Sequence, residues 1–342
     1  MNLSKNIMDK ILTIIIPTYN MEKYLRHCLD SLIVPSMDKV EVLVINDGSK
    51  DSSSAIGHEY QDKYPQTFRV IDKENGNYGS CVNRGLKEAT GKYVKVLDAD
   101  DSFDTAVFVQ YIEVISTLDV DLVLNDTQIV DEGGHNIKYW NVQKAEKLKV
   151  KDFNSKFLNP TMHSVAYRTK NLKRLGYSQT EGISYTDQEW IFWPMSVVDT
   201  YFYMPIPLYR YLLGREGQTM DPKIISKALP QEIIILERMV GIWEKYHRDW
   251  TKTHEYMSRK LRSWNLHVFC NSIIIGAAVQ KQKFKEMDLK FRKNYPLYYK
   301  FSQSFLVGTK LLFPYLWYWR IFHTIKPFGF IFKLKSWYDK RS

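Results

Sequence analysis

The sequence is poor in cysteine. Cys28, Cys81 and Cys270 are its only three in 342 residues. They lie far apart with no CxxC spacing, which argues against a disulfide framework or a zinc knuckle and fits a reducing compartment. Long apolar runs are also missing. No uncharged stretch reaches the roughly 18 residues that a spanning helix needs. The opening segment MNLSKNIMDKILTIIIPTYN holds a short β-branched run that ends at Pro17, with no small-residue cleavage site behind it. It reads as a buried strand, not as a signal or membrane helix. No GxGxxG follows a strand, which disfavours a dinucleotide-dependent dehydrogenase. Internal repeats and low-complexity tracts are absent too.

What is present is globular composition: 44% hydrophobic and 25% charged residues. Aromatics reach 14% and the formal net charge is +10. A basic surface favours anionic partners, whether nucleotide phosphates, acidic lipid headgroups or nucleic acid, without choosing among them.

The first hundred residues alternate strand and helix. LTIIIPTY predicts a strand, after which Asn20 is placed to cap a helix carrying Tyr24, Leu25, Cys28, Leu29 and Leu32 on one face. VEVLVIN predicts a second strand, with a helix starting at Asp51. FRVID, the helical GSCVNRGLKEA and the strand YVKVLDADD follow. Val/Ile/Leu-rich strands joined by short crossover helices imply a mostly parallel sheet covered on both faces. Ligands of such sheets bind beyond the carboxyl ends of the strands. The polar residues gather there: Thr18, Tyr19 and Asn20; Asn46, Asp47 and Gly48; Asp98, Asp100 and Asp101.

LDADD, at 97–101, carries the strongest chemistry. Mg²⁺ or Mn²⁺ takes one or two carboxylates together with phosphates and water. In an extended segment Asp98 and Asp100 point to the same side, so one carboxylate can meet the metal while the other reaches a sugar or ribose. A capped helix start or an acidic loop is the bland alternative. In VLVINDGSKDSS, Asp47 follows a buried strand, where its carboxylate can accept a hydrogen bond from the N3–H of uracil. Gly48 allows a tight turn, and Ser49 and Asp51 read as turn and cap residues.

The runs IIIPTYN, VLVINDGSKDSS and ENGNYGSCVNRGLKEATGKYVKVLDADD, in this order and spacing, resemble the family 2 glycosyltransferases of the GT-A fold. The resemblance covers roughly the first hundred residues. It implies inverting transfer of a sugar from a nucleotide diphosphate donor, usually a UDP-sugar. Carried onto this chain, it implies that Thr18 and Tyr19 line the base pocket, Asp47 contacts uracil, and Asp98 and Asp100 hold ribose and metal. Many members carry Ala-Arg-Asn in the third helix. Here Asn83 keeps the Asn position, while the arginine stands one place later, at Arg84.

In YTDQEWIF, Asp187 fits the second position of the acidic pair in which the family places its catalytic base, with Thr186 in place of the usual Glu. A partly desolvated carboxylate there can remove the acceptor proton. Glu189 is the runner-up. Arg210 and Arg215, the latter in the loop LLGREGQTM, are candidates to neutralise the diphosphate. His163 in PTMHSVAY could face the acceptor, but a lone histidine beside apolar strand residues reads more often as structural. Trp190 suits sugar stacking or core packing about equally.

These readings place a GT-A type α/β fold, a mostly parallel sheet flanked by helices, over residues 1–220. Its nucleotide-binding part covers about 10–101 and its acceptor part about 102–220. A helical C-terminal region follows over 221–342. From about 300 it turns aromatic and basic: Trp317, Trp319, Phe322, Phe328, Phe330, Phe332 and Trp337 interleave with Lys310, Arg320, Lys326, Lys333, Lys335, Lys340 and Arg341. That mixture suits the interface plane of an anionic membrane, or a helical cap on the fold. The expected partners are a UDP-sugar, a glycan acceptor on a lipid carrier, Mn²⁺ or Mg²⁺, and the inner face of the cell membrane, with no nucleic acid. The rival readings are a sugar nucleotidyltransferase, which would want a Gly-rich phosphate loop where PTYNMEKY stands, and a non-catalytic sugar-nucleotide or carbohydrate-binding module.

Overall fold

The computed structural model describes residues 10–143, 150–153, 158–183, 186–215, 222–274, 276, 278–307 and 313–324. The chain divides into two compact units, Met1–Thr219 and Met220–Ser342.

The first unit is built on one sheet. Its elements run β1 (Leu12–Thr18), α1 (Leu25–Asp30), β2 (Val40–Asn46), α2 (Ser53–Lys63), β3 (Phe68–Asp72), α3 (Asn77–Glu88), β4 (Tyr93–Val96), β5 (Ser102–Phe103), α4 (Thr105–Thr117) and β6 (Leu122–Val130). They continue as β7 (Asn136–Trp140), β8 (Val150–Asp152), β9 (Val165–Arg168), α5 (Thr169–Leu175), α6 (Asp187–Trp190) and β10 (Thr200–Leu212). The strand order is β3-β2-β1-β4-β9-β6-β10-β5, with β7 beside β6 and β8 beside β10. Strands β1 to β4 are mutually parallel and β6 is parallel to β10, while β9 runs against both β4 and β6.

Burial explains why these strands are continuous apolar runs. Leu12, Ile14, Ile15, Ile16, Val42, Leu43, Val44 and Ile45 are all fully buried, because helices cover both faces. The register sets Thr18 beside Asn46 and Ile15 beside Val96. The carboxyl ends of β1, β2 and β4 therefore open on one edge of the sheet.

Two expectations need correction here. Asn20 does not cap a helix. It adopts a left-handed φ of 54°, which asparagine tolerates better than most residues. Its side-chain oxygen accepts a hydrogen bond from Lys50 N at 2.8 Å, so it joins two loops, and α1 begins only at Leu25. The fourth strand also stops sooner than expected. Its pairing ends at Val96, and Asp101 N donates to Asp98 O at 3.0 Å, closing a turn. Asp98 and Asp100 thus do not share a side through strand alternation.

The second unit is helical: α7 (Pro222–Tyr246), α8 (His254–Phe269), α9 (Ala278–Asn294), α10 (Pro296–Ser302) and α11 (Tyr315–Phe322), with a small ladder of β11 (Leu306–Val307) and β12 (Phe313–Pro314). Aromatic rings fill its core. Phe269 meets Tyr315 at 4.8 Å and Phe284 at 5.4 Å, and Trp243 stacks on Phe301 at 4.7 Å. The buried Asn265 amide donates to the Tyr298 hydroxyl at 2.6 Å and accepts from the Tyr315 hydroxyl at 2.8 Å. Among the described residues no helix is long and apolar enough to cross a membrane.

Within the aromatic, basic tail, α11 behaves as core. Tyr315, Leu316 and Trp319 are buried, and Arg320 makes a forked ion pair with Asp288 at 2.7 and 3.0 Å. Trp317 and Phe322 remain exposed. Lys310, Lys326, Phe328, Phe330, Phe332, Lys333, Lys335, Trp337, Lys340 and Arg341 lie outside the described residues.

Candidate active site

Asp47 directly follows β2 and is buried. Its Oδ1 accepts from Lys73 Nζ at 2.5 Å and from Gly76 N at 3.0 Å, and its own amide donates to Thr18 O at 2.8 Å. Lys73 also donates to Ser80 Oγ at 2.8 Å and to Glu74 O at 2.6 Å. A carboxylate this deep is stable because a cation and a backbone N–H hold it. Gly48 follows with φ 74°, and a Cβ there would crowd Asn75 N at 3.3 Å, so glycine is required for the turn. Beside it, Thr18 is buried and Tyr19 stands 47% exposed at the end of β1. An exposed ring next to a fixed buried acceptor is a natural seat for a nucleobase.

The acidic turn after β4 is organised by tyrosines from distant elements. Tyr78 on α3 donates to Asp98 Oδ1 at 2.7 Å. Tyr209 on β10 donates to Asp101 Oδ2 at 2.7 Å and accepts from Asp98 N at 3.1 Å. Leu212 N donates to Asp101 Oδ1 at 2.7 Å. Both oxygens of the buried Asp101 are therefore committed to β10. Asp100 turns the other way and pairs with the Arg215 guanidinium, which also stands 5.6 Å over the Tyr24 ring.

Ligating atoms of Asp98, Asp101 and His163 lie within 4.8 Å of one another. His163 belongs to the turn Met162–Ser164 that leads into β9. Its carbonyl accepts from Lys95 Nζ at 2.6 Å. Lys95 is fully buried on β4, and its other two acceptors, Asn125 Oδ1 and Val165 O, are neutral. Burial pulls its ammonium down to about 7. Burial also pushes the carboxyl of Asp100 above its ordinary range, helped by Asp98 and opposed by Arg215. The carboxyl of Asp101 rises well above the ordinary range by burial, then by the charges of Asp100 and Asp98. Crowded oxygen donors that raise one another's proton affinity are a fitting donor set for a hard divalent cation, which would relieve the repulsion.

Asp187 opens α6, which packs beside the His163 turn. It is partly exposed, accepts from Gln188 Nε2 at 2.8 Å, and lies near enough to raise the Tyr78 hydroxyl's proton affinity behind burial and Asp98. Asp187 therefore stands close to the Tyr78–Asp98 pair. Glu189 is held differently. It is buried, and its two oxygens accept from Thr180 N at 2.7 Å and Thr180 Oγ1 at 2.6 Å.

Over residues 13–176 the chain matches the family model described as glycosyl transferase family 2. That segment is a family 2 glycosyltransferase domain. A glycosyltransferase of Rickettsia typhi is 26% identical over 277 residues, covering 75% of this chain and 80% of that protein. One of Rickettsia prowazekii is 31% identical over 170 residues, covering 48% of this chain and 50% of that protein. Among solved structures, S. aureus TarS residues 1–349 in complex with UDP-GlcNAc superposes with a TM-score of 0.61 at 20% identity, covering 80% of this chain and 77% of that one. The fold is of the GT-A type, with the mostly parallel sheet expected from the sequence.

Against this family 2 frame, the expected residues divide. Thr18, Tyr19, Asp47, Asp98, Asp100 and Arg215 occur around one edge of the sheet. Asn83 bonds to another segment. Its amide donates to Gln179 O at 3.0 Å and Glu181 Oε1 at 2.8 Å, and accepts from Gln179 N at 2.7 Å. It pins the 179–181 segment instead of facing the acids. Arg210 points away from the acids because it alternates with Tyr209 along β10. It donates to Gly134 O at 3.0 Å and lines a cavity of about 190 Å³ with His27, Asp30 and Ser102. Trp190 is core, fully buried against Tyr167 and Tyr177.

Sequence reasoning missed Lys73, Tyr78, Tyr209 and Lys95, and set His163 aside. Tyr78 stands inside the run that carries the family resemblance, ENGNYGS, so a signal for it was present. Tyr209 sits in a strand of repeated aromatics, where nothing distinguishes it from a core residue.

Proposed function

We propose that this chain is an inverting glycosyltransferase that moves a hexose or N-acetylhexosamine from a UDP-sugar to an acceptor hydroxyl. The observation that carries the reading is the convergence of Asp47, Asp98 and Asp100 beyond β2 and β4, with Tyr19 beside them. Asp47 is suited to accept the uracil N3–H, with Lys73 holding it in place. Tyr19 offers a face for the base. Asp98 and Asp100 would hold ribose and Mn²⁺ or Mg²⁺. When bound, the ion stabilises charge on the departing diphosphate.

The chain's own groups supply the rest. Asp187 removes the acceptor hydroxyl proton as that oxygen bonds to the anomeric carbon from the face opposite the leaving group. The bond from that carbon to the phosphate oxygen breaks, its electron pair stays on UDP, and the configuration inverts. Arg215, on leaving Asp100, would meet the diphosphate. The acceptor we favour is a glycan on a lipid carrier at the cytoplasmic face of an anionic membrane, reached through the basic, aromatic tail. The supporting observation is the composition of 325–342, together with exposed Trp317 and Phe322 on α11.

A donor screen tests the central claim. UDP release would be followed across a panel of UDP-sugars with Mn²⁺, with and without a glycan acceptor. Acceptor-dependent release from one UDP-sugar is expected. If no UDP-sugar is turned over while a GDP- or dTDP-sugar is, the uracil assignment of Asp47 fails. Removing residues 325–342 is expected to release the protein from anionic vesicles and to leave transfer to a water-soluble acceptor intact. Retention on vesicles would overturn the membrane assignment.

A further inference from the structure

Asp98 and His163 face each other with Asp98 Oδ2 and His163 Nε2 3.7 Å apart. That gap is too wide for a hydrogen bond. It matches two ligands of one cation. Donors about 2.1 Å from an ion stand about 3.0 Å apart at right angles and about 4.2 Å apart when opposed. The third member of the cluster, Asp101, already uses both oxygens on Tyr209 and Leu212, which leaves Asp98 and His163 as the facing pair.

The imidazole is held in place. Its ring lies between those of Tyr209 and Tyr211, at centroid distances of 4.6 and 5.0 Å. Its carbonyl is fixed by Lys95. The turn is closed on both sides, with Thr161 N donating to Ser164 Oγ at 2.9 Å and Ser164 Oγ donating to Thr161 O at 2.8 Å. The side chain keeps 18% of its surface open, enough for a ligand to reach it. Opposite, the Tyr78 hydroxyl orients Asp98 through its other oxygen. Supporting bonds of this kind, which hold a ligand from behind, are typical of built metal sites.

We infer that His163 is a protein ligand of the divalent ion, alongside Asp98, and that this nitrogen donor makes the site select Mn²⁺ over Mg²⁺. The inference rests on the metal-assisted reading above. Mg²⁺ demands oxygen ligands in near-ideal octahedral geometry and gives up water reluctantly. Imidazole suits transition metals, and Mn²⁺ accepts both donor types. The chain's contribution is therefore a choice of metal as well as a place for one.

Pulsed electron paramagnetic resonance on the full chain with Mn²⁺ and UDP tests this independently of turnover. Bound Mn²⁺ is expected to show ¹⁴N modulation from a coordinated imidazole. In His163→Asn the modulation should vanish, and Mn²⁺ affinity should fall by at least about tenfold while Mg²⁺ affinity changes little. Bound Mn²⁺ without ¹⁴N modulation in the unaltered protein overturns the inference and leaves the metal reading standing. Modulation that persists in His163→Asn assigns the nitrogen elsewhere and overturns it too. Failure of Mn²⁺ to bind at all removes the metal reading and this inference together. Because the first readout uses the unaltered chain, a variant that fails to fold does not rescue the idea.

Discussion

Arg215 closes its guanidinium on the carboxylate of Asp100, the residue expected to bind metal. The two side chains are 13% and 11% exposed, so the pair is largely shielded from water. The arginine occupies ground that a cation on Asp100 would need. Donor binding offers it a diphosphate instead, so metal and nucleotide should bind cooperatively. Arg215→Met should tighten Mn²⁺ binding without UDP by roughly tenfold, equivalent to about 1.4 kcal/mol, and should lower transfer. Calorimetric titration of Mn²⁺ with and without UDP checks this. Equal Mn²⁺ affinities in both proteins would show that the pair exerts no competition.

Asp187 and Glu189 are two residues apart, and their surroundings differ: Asp187 is partly exposed, whereas Glu189 is buried and bonded to Thr180. Asp187→Asn should reduce transfer by about a hundredfold to ten-thousandfold and leave UDP affinity nearly unchanged. Glu189→Gln should act on stability, because Thr180 loses a charged acceptor. Steady-state kinetics beside thermal melts separate the two. Wild-type turnover in Asp187→Asn would move the base elsewhere.

Lys73 is the hidden partner of Asp47. Lys73→Met leaves that carboxylate buried without its cation, at a cost of about 3 kcal/mol. UDP affinity should fall with it, because an Asp47 that has lost its anchoring partner no longer presents the same acceptor to uracil. Denaturant unfolding and UDP titration on the same variant provide both readings.

Asp121 supplies a pH test away from the site. Burial pushes its carboxyl up, but bonds from Asn171, the Thr200 amide, the Asp199 amide and the Thr200 hydroxyl outweigh it, and the net shift is downward. A lowered acid binds fewer protons folded than unfolded, so its stabilisation is present above the unfolded value near 4 and is lost as pH falls through the folded value. Asp121→Asn should be less stable than the parent by about 1 to 2 kcal/mol at pH 7. The gap should shrink as the pH drops below about 4. A gap independent of pH would show that packing, not charge, is at stake.

In the second unit, Arg320 and Asp288 are each 9% exposed in their side chains. Arg320→Met strands the aspartate and should cost about 3 to 5 kcal/mol, read in denaturant titrations. The same reasoning separates two truncations. Deleting 300–342 removes Tyr315, Trp319 and Arg320 from a packed core and should unfold this unit, whereas deleting 325–342 removes none of them.

The sequence was most legible where local pattern and burial agree. VEVLVIN and FRVID form strands over the residues their composition implies. It was least legible where distant groups decide. Nothing local shows that Val96 is the last paired residue of β4, because Tyr209, more than a hundred positions on, takes the next free amide at Asp98. Asn83 keeps a family position, yet its amide is drawn to the 179–181 segment. His163 looks like a bland strand neighbour until the fold sets it opposite Asp98. Residue type indicated the chemistry, and tertiary contacts chose which side chains deliver it.

The bond from Tyr209 to Asp101 has a consequence for how the enzyme comes into being. The acidic turn is complete only once β10 has joined the sheet, after about two hundred residues of chain have been made. A fragment ending near residue 180 would contain the strands, the Asp47 turn and the LDADD segment, and would still lack the strand that shapes that segment. Contacts so far apart in sequence form late and slowly. The nascent first half should therefore carry an LDADD segment whose shape is not yet set, with a lower metal affinity than the whole first unit.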